Sequence, residues 1–161
     1  MQHRGQPLTR RQLDIWLAQQ TGHSDTQWQL GLFVRIAGPV NRHVFLDAIR
    51  QGLREAEPIR SAFVESGGGV VQQPVDYSDL DMEFYDLTRS AQPTQRAREI
   101  ATSIQHTPMP LSGHLLSFAL FQTGAEEFYW FACCHHIVID GVSMGLVGRR
   151  IAAVYSAMMS G

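Results

Sequence analysis

Lysine is missing from this sequence: all 13 of its basic side chains, from Arg4 to Arg150, are arginine. A Walker-type phosphate loop, a pyridoxal Schiff base and a catalytic amine each need a lysine, so none can be built within the chain. Cysteine is scarce too, with two, side by side at Cys133 and Cys134. They cannot make a disulfide framework, and the expected setting is a reducing cytosol. There is no cationic excess, because 15 acidic residues outweigh the 13 arginines and the formal net charge is −2. Nucleic acid is therefore not an expected partner. No apolar run approaches the ~18–20 residues of a membrane span. The opening MQHRGQPLTRRQ also lacks the apolar core of a secretory signal. A membrane is not an expected partner either.

What is present suits one globular domain: 161 residues, of which 44% are hydrophobic and 17% charged. Residues 1–7 read as a disordered tail, and residues 8–161 as the folded unit. Thr9 and Gln12 form a capping box ahead of a helix carrying Leu13, Trp16 and Leu17 on one face. A polar loop at 21–27 leads to a strand at 32–36. Asn41 caps a second helix, with Val44, Phe45, Ala48, Ile49 and Leu53 at helical spacing, and Pro58 breaks it. Residues 59–65 and 70–75 flank Gly67, Gly68 and Gly69 as a hairpin. The acidic segment 76–91 is expected to be irregular. Pro93 opens a third helix with Ala97, Ile100, Ala101 and Ile104 on its face. Strands at 115–121 and 127–138 follow, joined at Gly124, and Asp140 caps a last helix with Met144, Val147, Ile151 and Val154 on one stripe. The alternation predicts an α/β fold, a two-layer α+β sandwich with a mixed sheet packed against helices.

The segment FACCHHIVIDGVS carries the most unusual chemistry. An extended strand through 138 puts Trp130, Ala132, Cys134, His136 and Val138 on one face. Phe131, Cys133, His135, Ile137 and Ile139 take the other. Both faces are largely apolar, which marks a central strand covered on both sides. Two imidazoles at its end are costly unless each finds a hydrogen bond. Next come Asp140, Gly141 and a helix N-terminus, an arrangement suited to general-base chemistry or carbonyl polarisation. A hydrogen-bonded structural histidine and a plain Asp140 cap remain open alternatives. A metal site is disfavoured, since adjacent strand side chains point apart and no Cys-x-x-Cys spacing occurs. Cys133 and Cys134 read as small buried hydrophobes rather than nucleophiles.

The run from His135 to Gly141 resembles the His-His-x-x-x-Asp-Gly motif of the condensation domains of nonribosomal peptide synthetases. The stretch from Thr9 to Trp16 resembles that family's opening Ser-x-Ala-Gln-x-Arg-x-Trp, without its Ala and with a cation at Arg11. Residues 53–63 are similar to Arg-His-Glu-x-Leu-Arg-Thr-x-Phe, Arg60 and Phe63 matching its end. Pro108 to Leu111 and His114 to Leu116 echo the family's lead into the next strand. Cys134 stands where Met commonly precedes the histidine pair.

The resemblance implies one chloramphenicol-acetyltransferase-like lobe of a two-lobe acyltransferase, the C-terminal lobe being absent. It implies amide formation between acyl groups tethered as thioesters to carrier domains. His136 would be the catalytic imidazole and His135 a loop-ordering one. Asp140 would hold the motif through an ion pair with an arginine, Arg60 being the candidate, and Gly141 would permit a positive φ or a close backbone approach. No cofactor or metal is expected on the chain itself; substrates would arrive on phosphopantetheine arms. Carrier domains, the second lobe and an adenylation domain are the implied partners. Alone, the chain is expected to be inactive and to self-associate. Acyl transfer from coenzyme A or a carrier to an alcohol, epimerisation, and a non-catalytic docking module stay open beside amide formation.

Overall fold

The run EFYWFACCH is apolar at successive positions, so a strand made from it needs cover on both faces. It forms β7 (Glu127–His135), buried at every position after Glu127. In the computed structural model, which describes residues 5–22 and 26–161, β7 runs antiparallel to β2 (Gln29–Ala37) on one side and β6 (Leu116–Gly124) on the other. β5 (Glu83–Asp86) adds to β6 in parallel, giving the mixed order β2-β7-β6-β5. This short strand lies inside the segment expected to be irregular.

Alternation along β7 sends Trp130 to one face and Phe131 to the other. The Trp130 face is covered by α2 (Arg42–Glu55) and α4 (Gly141–Ser160). Phe45 of α2 meets Trp130 edge-on at 5.6 Å, and Trp130 stacks on Phe118 at 5.7 Å. Gly52 lets the two helices close together: a Cβ there would lie 2.7 Å from Ile151 Cγ1. The Phe131 face is covered by α3 (Pro93–Gln105), with Ala97 and Ala101 buried and the Arg98 guanidinium 4.8 Å from the centre of the Phe33 ring. The expected mixed sheet packed against helices is thus present, with α2 and α4 on one face and α3 on the other. Burial of each large core side chain contributes about 1.5–3 kcal/mol.

The hairpin pairs β3 (Ser61–Ser66) with β4 (Gly69–Pro74). Gly67 and Gly68 turn it with φ of +61° and +84°, the left-handed pair that suits a two-residue hairpin turn. β1 (Gln6–Pro7) adds to β4, so these two residues are paired strand and do not belong to the tail expected at 1–7. The rest of that tail up to Arg4, and residues 23–25 of the expected loop, lie outside the described residues.

The predicted caps form. Thr9 Oγ1 accepts from the Gln12 amide at 3.3 Å while Gln12 Oε1 accepts from the Thr9 amide at 2.9 Å, opening α1 (Arg10–Gln20). Asn41 caps α2, Pro93 opens α3 and Asp140 caps α4. One polar latch has no local signal in the sequence. Buried Gln29 donates to the carbonyls of Gln105 (2.6 Å) and Thr107 (3.0 Å) and accepts from the Met109 amide (3.0 Å). It ties the end of α3 to the start of β2. Because Gln29 is paired with His135 across the ladder, the latch also steadies the end of the central strand.

Candidate active site

The strand expected over 127–138 overruns. At His135 the chain leaves the ladder, and a turn over 135–138 is closed by the Val138 amide donating to the His135 carbonyl at 3.2 Å. Ile137, Val138 and Ile139 are all buried, so strand alternation stops here. The two histidines diverge because of this turn, not because of the pleat.

His135 is 0% exposed and both of its ring nitrogens are used. Nδ1 accepts from the Ile137 amide at 3.1 Å, which leaves the proton on Nε2 to be donated to Gln19 Oε1 at 3.0 Å. The imidazole is a neutral peg between the turn and the end of α1. Burial, and secondarily the neighbouring His136, push its pKa down to about 4.

His136 is half-buried at the rim. Its amide donates to the Trp28 carbonyl at 2.6 Å, and the Trp28 ring lies 6.4 Å away, tilted by 31°. Nδ1 donates to the Ile139 carbonyl at 2.7 Å, so the lone pair is on Nε2. That lone pair faces Arg11, whose Nη2 lies 3.2 Å away. The ring is oriented by the backbone and offers one basic nitrogen outward, the geometry a general base requires.

Asp140 Oδ1 accepts from the Ser143 amide at 2.7 Å and caps α4. These Ser143 hydrogen bonds first, then the charges of Arg11 and His136, hold its carboxyl below the usual range. The ion pair expected with Arg60 is not formed. The guanidinium beside Asp140 is that of Arg11, with Nη1 4.0 Å from Oδ2. Arg60 instead follows the 3-10 turn Glu57–Ile59 and lines a hollow with Thr9, Gln12, Glu57 and Gln72, its buried Nε without a partner. The intervening Pro58 turn sets it there.

Gly141 does not have a positive φ; the glycines that do are Gly22, Gly38, Gly67 and Gly68. It is the first residue of α4, and a Cβ there would meet nothing within 4 Å. The space it leaves clear faces away from this chain.

Cys133 and Cys134 are buried, and burial raises both thiols, that of Cys133 to about 11, so neither is poised as a thiolate. Among the described residues no group of three or more His, Cys, Asp or Glu is placed to hold a metal ion. No helix among them is long and apolar enough to cross a membrane.

Sequence reasoning located the histidines and Asp140 but missed Gln19 and Trp28. Gln19 lies near the end of α1 and Trp28 just before β2, and only the tertiary packing and the sheet register bring them against the turn. Arg11 was visible as the displaced cation of the opening motif.

A match to the family described as Condensation domain runs over residues 2–161. The chain is 31% identical over 155 residues to a dimodular nonribosomal peptide synthase of Bacillus subtilis (strain 168), covering 96% of this chain and 6% of that protein. The crystal structure of the starter condensation domain of rhizomide synthetase superposes with a TM-score of 0.92 at 31% identity, over 98% of this chain and 39% of that one. A doubly substituted form of that domain, in complex with C8-CoA and Leu-SNAC, gives 0.92 at 30% identity, over 98% and 36%. The chain therefore spans well under half the length of the relatives it matches. With the fold shared along nearly its whole length and the paired histidines at the end of its central strand, this chain belongs to the condensation domain family.

Proposed function

We propose that this chain supplies one wall of an amide-forming site in which His136 acts on the acceptor amine. The amine nitrogen attacks the carbonyl carbon of an acyl thioester, and His136 Nε2 takes the proton that the nitrogen sheds. The tetrahedral intermediate then expels the thiolate, which recovers that proton. The observation that carries this reading is the orientation of His136, with Nδ1–H fixed on the Ile139 carbonyl at 2.7 Å and Nε2 left as the outward base. A positioned base is worth roughly 10²–10⁴-fold. Asp140 keeps the turn and the start of α4 in place through its 2.7 Å cap. C8-CoA and Leu-SNAC, named with a relative, pair an acyl thioester with an amine-bearing one, the kind of pair this chemistry joins.

Substrates would be delivered in the cytoplasm as thioesters on phosphopantetheine arms of carrier domains, with an adenylation domain loading the acceptor. A second lobe would complete the site. In support, the two helices that touch the histidine turn expose apolar side chains: Leu13 and Leu17 on α1, Val142 and Leu146 on α4. Apolar surface of this kind favours association. On its own the chain is expected to self-associate as concentration rises, which light scattering would register, and to transfer no acyl group.

The test is His136→Ala in a two-lobe protein containing this chain, assayed with carriers loaded with an acyl and an aminoacyl group. Transfer is expected to fall at least ~10²-fold. Near-normal transfer would remove the imidazole from the chemistry, and carrier binding without transfer in the parent would make the lobe a docking module.

A further inference from the structure

The outward nitrogen of His136 is already occupied. Arg11 Nη2 lies 3.2 Å from Nε2, and a guanidinium can only donate, so Nε2 is the acceptor of that contact. The same guanidinium reaches Asp140, with Nη1 4.0 Å from Oδ2. Arg11 is on the first turn of α1, held there by the Thr9–Gln12 capping box, and its side chain is 61% exposed. It thus has a firm base and a free end, with two acceptors within its swing. With Thr9, Gln12 and Trp16 set on the opening motif, Arg11 stands at the position of that motif's alanine.

An amine entering the reaction needs the same lone pair. Its N–H must point at Nε2 from the distance the guanidinium N–H now takes, and two donors cannot share one sp² lone pair at full strength. One of them has to leave. The carboxylate of Asp140 is the nearest alternative for Arg11, and it is an anion that a guanidinium satisfies better than an imidazole does.

We propose that Arg11 is a positioning residue that covers the base: its guanidinium holds Nε2 of His136 in the unloaded lobe and withdraws to Asp140 when an acceptor amine takes its place. The acceptor half rests on the function proposed above. The covering contact does not, so it is tested on this chain directly, without carriers or turnover.

Diethyl pyrocarbonate at pH 8, where an ordinary imidazole is neutral, acylates an available ring nitrogen: the lone pair attacks a carbonyl carbon and ethyl carbonate leaves. The labelling rate of His136 would be followed by peptide mass spectrometry in the parent and in Arg11→Ala. Exposed His43 and His106 serve as internal references. Freeing Nε2 is expected to speed His136 labelling about five-fold, the factor lost with one ordinary hydrogen bond, with the two references unchanged. The ¹⁵N resonance of His136 Nε2 should move toward that of a free acceptor while the Nδ1–H tautomer persists, a shift that altered stability would not produce. Arg11→Lys, which keeps the charge but not the fork, should label at an intermediate rate. An unchanged or slower rate in Arg11→Ala, or an Nε2 resonance that does not move, would overturn the covering contact. If the contact holds while His136→Ala leaves transfer intact, the proposed base fails and the covered nitrogen stands.

Discussion

His135 closes the central strand with both ring nitrogens spent inside the protein, whereas His136, the next residue, spends one nitrogen on the backbone and turns the other to the rim. The difference originates in the turn that ends β7. Its Val138–His135 bond and the His136–Trp28 bond take the chain off the ladder after His135, three residues short of the strand expected through 138. The buried end is built for stability: a neutral peg held between a glutamine from α1 and the Ile137 amide. The rim is built from half-exposed charges, Arg11 and Asp140, whose ion pair at 4.0 Å adds little to folding. Identical side chains in adjacent positions thereby sit in opposite settings.

The contrast can be sharpened with pH. With its pKa pushed down to about 4, His135 stays neutral in the folded chain where an unfolded imidazole, near 6.5, takes up a proton. Between those values the unfolded state binds more protons. The contribution of His135 is therefore complete above about pH 6.5 and is lost as pH falls toward 4. The whole interval corresponds to about 3 kcal/mol. Denaturant unfolding at pH 7.5, 6 and 5 should show the parent losing stability more steeply than His135→Ala, and parallel curves would break the assignment.

A smaller effect is expected from Gln19→Ala, which leaves the buried Nε2–H of His135 without its acceptor. Loss of about 1–3 kcal/mol should appear as a lower unfolding midpoint. No loss would mean that the peg is satisfied elsewhere. At the rim the expected effects are smaller again. Asp140→Ala removes the cap of α4 and should cost about 1 kcal/mol, while Asp140→Asn keeps an N-cap acceptor and should cost a few tenths. Equal midpoints for the two variants would assign the Asp140 effect to charge instead.

Much of the fold was legible because its signals are local. The Thr9–Gln12 box, the Asn41 and Asp140 caps, Pro93 at a helix start and the glycine turn at 67–68 each carry their structure within a few residues. β5 was not legible, since Glu83–Asp86 has only the apolar pair Phe84 and Tyr85 and owes its extension to pairing with β6. The same holds at the site. The histidine pair and Asp140 stand out as a motif, but the end of β7 at His135 is set by what β2 and Trp28 offer across the ladder. Arg60 was assigned to Asp140 on resemblance alone, and the Pro58 turn carries it to a different hollow. For Gly141 a positive φ or a close backbone approach is the expectation, and its place at the start of α4 excludes the first by making the backbone helical.

The claim that adjacent histidines divide folding from chemistry is tested most directly by measuring both properties on both single variants of a two-lobe protein containing this chain. His135→Ala should lower the unfolding midpoint by the equivalent of about 2–3 kcal/mol, by stranding the Ile137 amide and Gln19. Carrier-dependent transfer should survive in whatever fraction remains folded. His136→Ala should unfold within about 1 kcal/mol of the parent, the scale of its one bond to the Ile139 carbonyl, and lose at least ~10²-fold in transfer. A His136→Ala protein that unfolds early yet transfers at the parental rate per folded molecule would contradict the division.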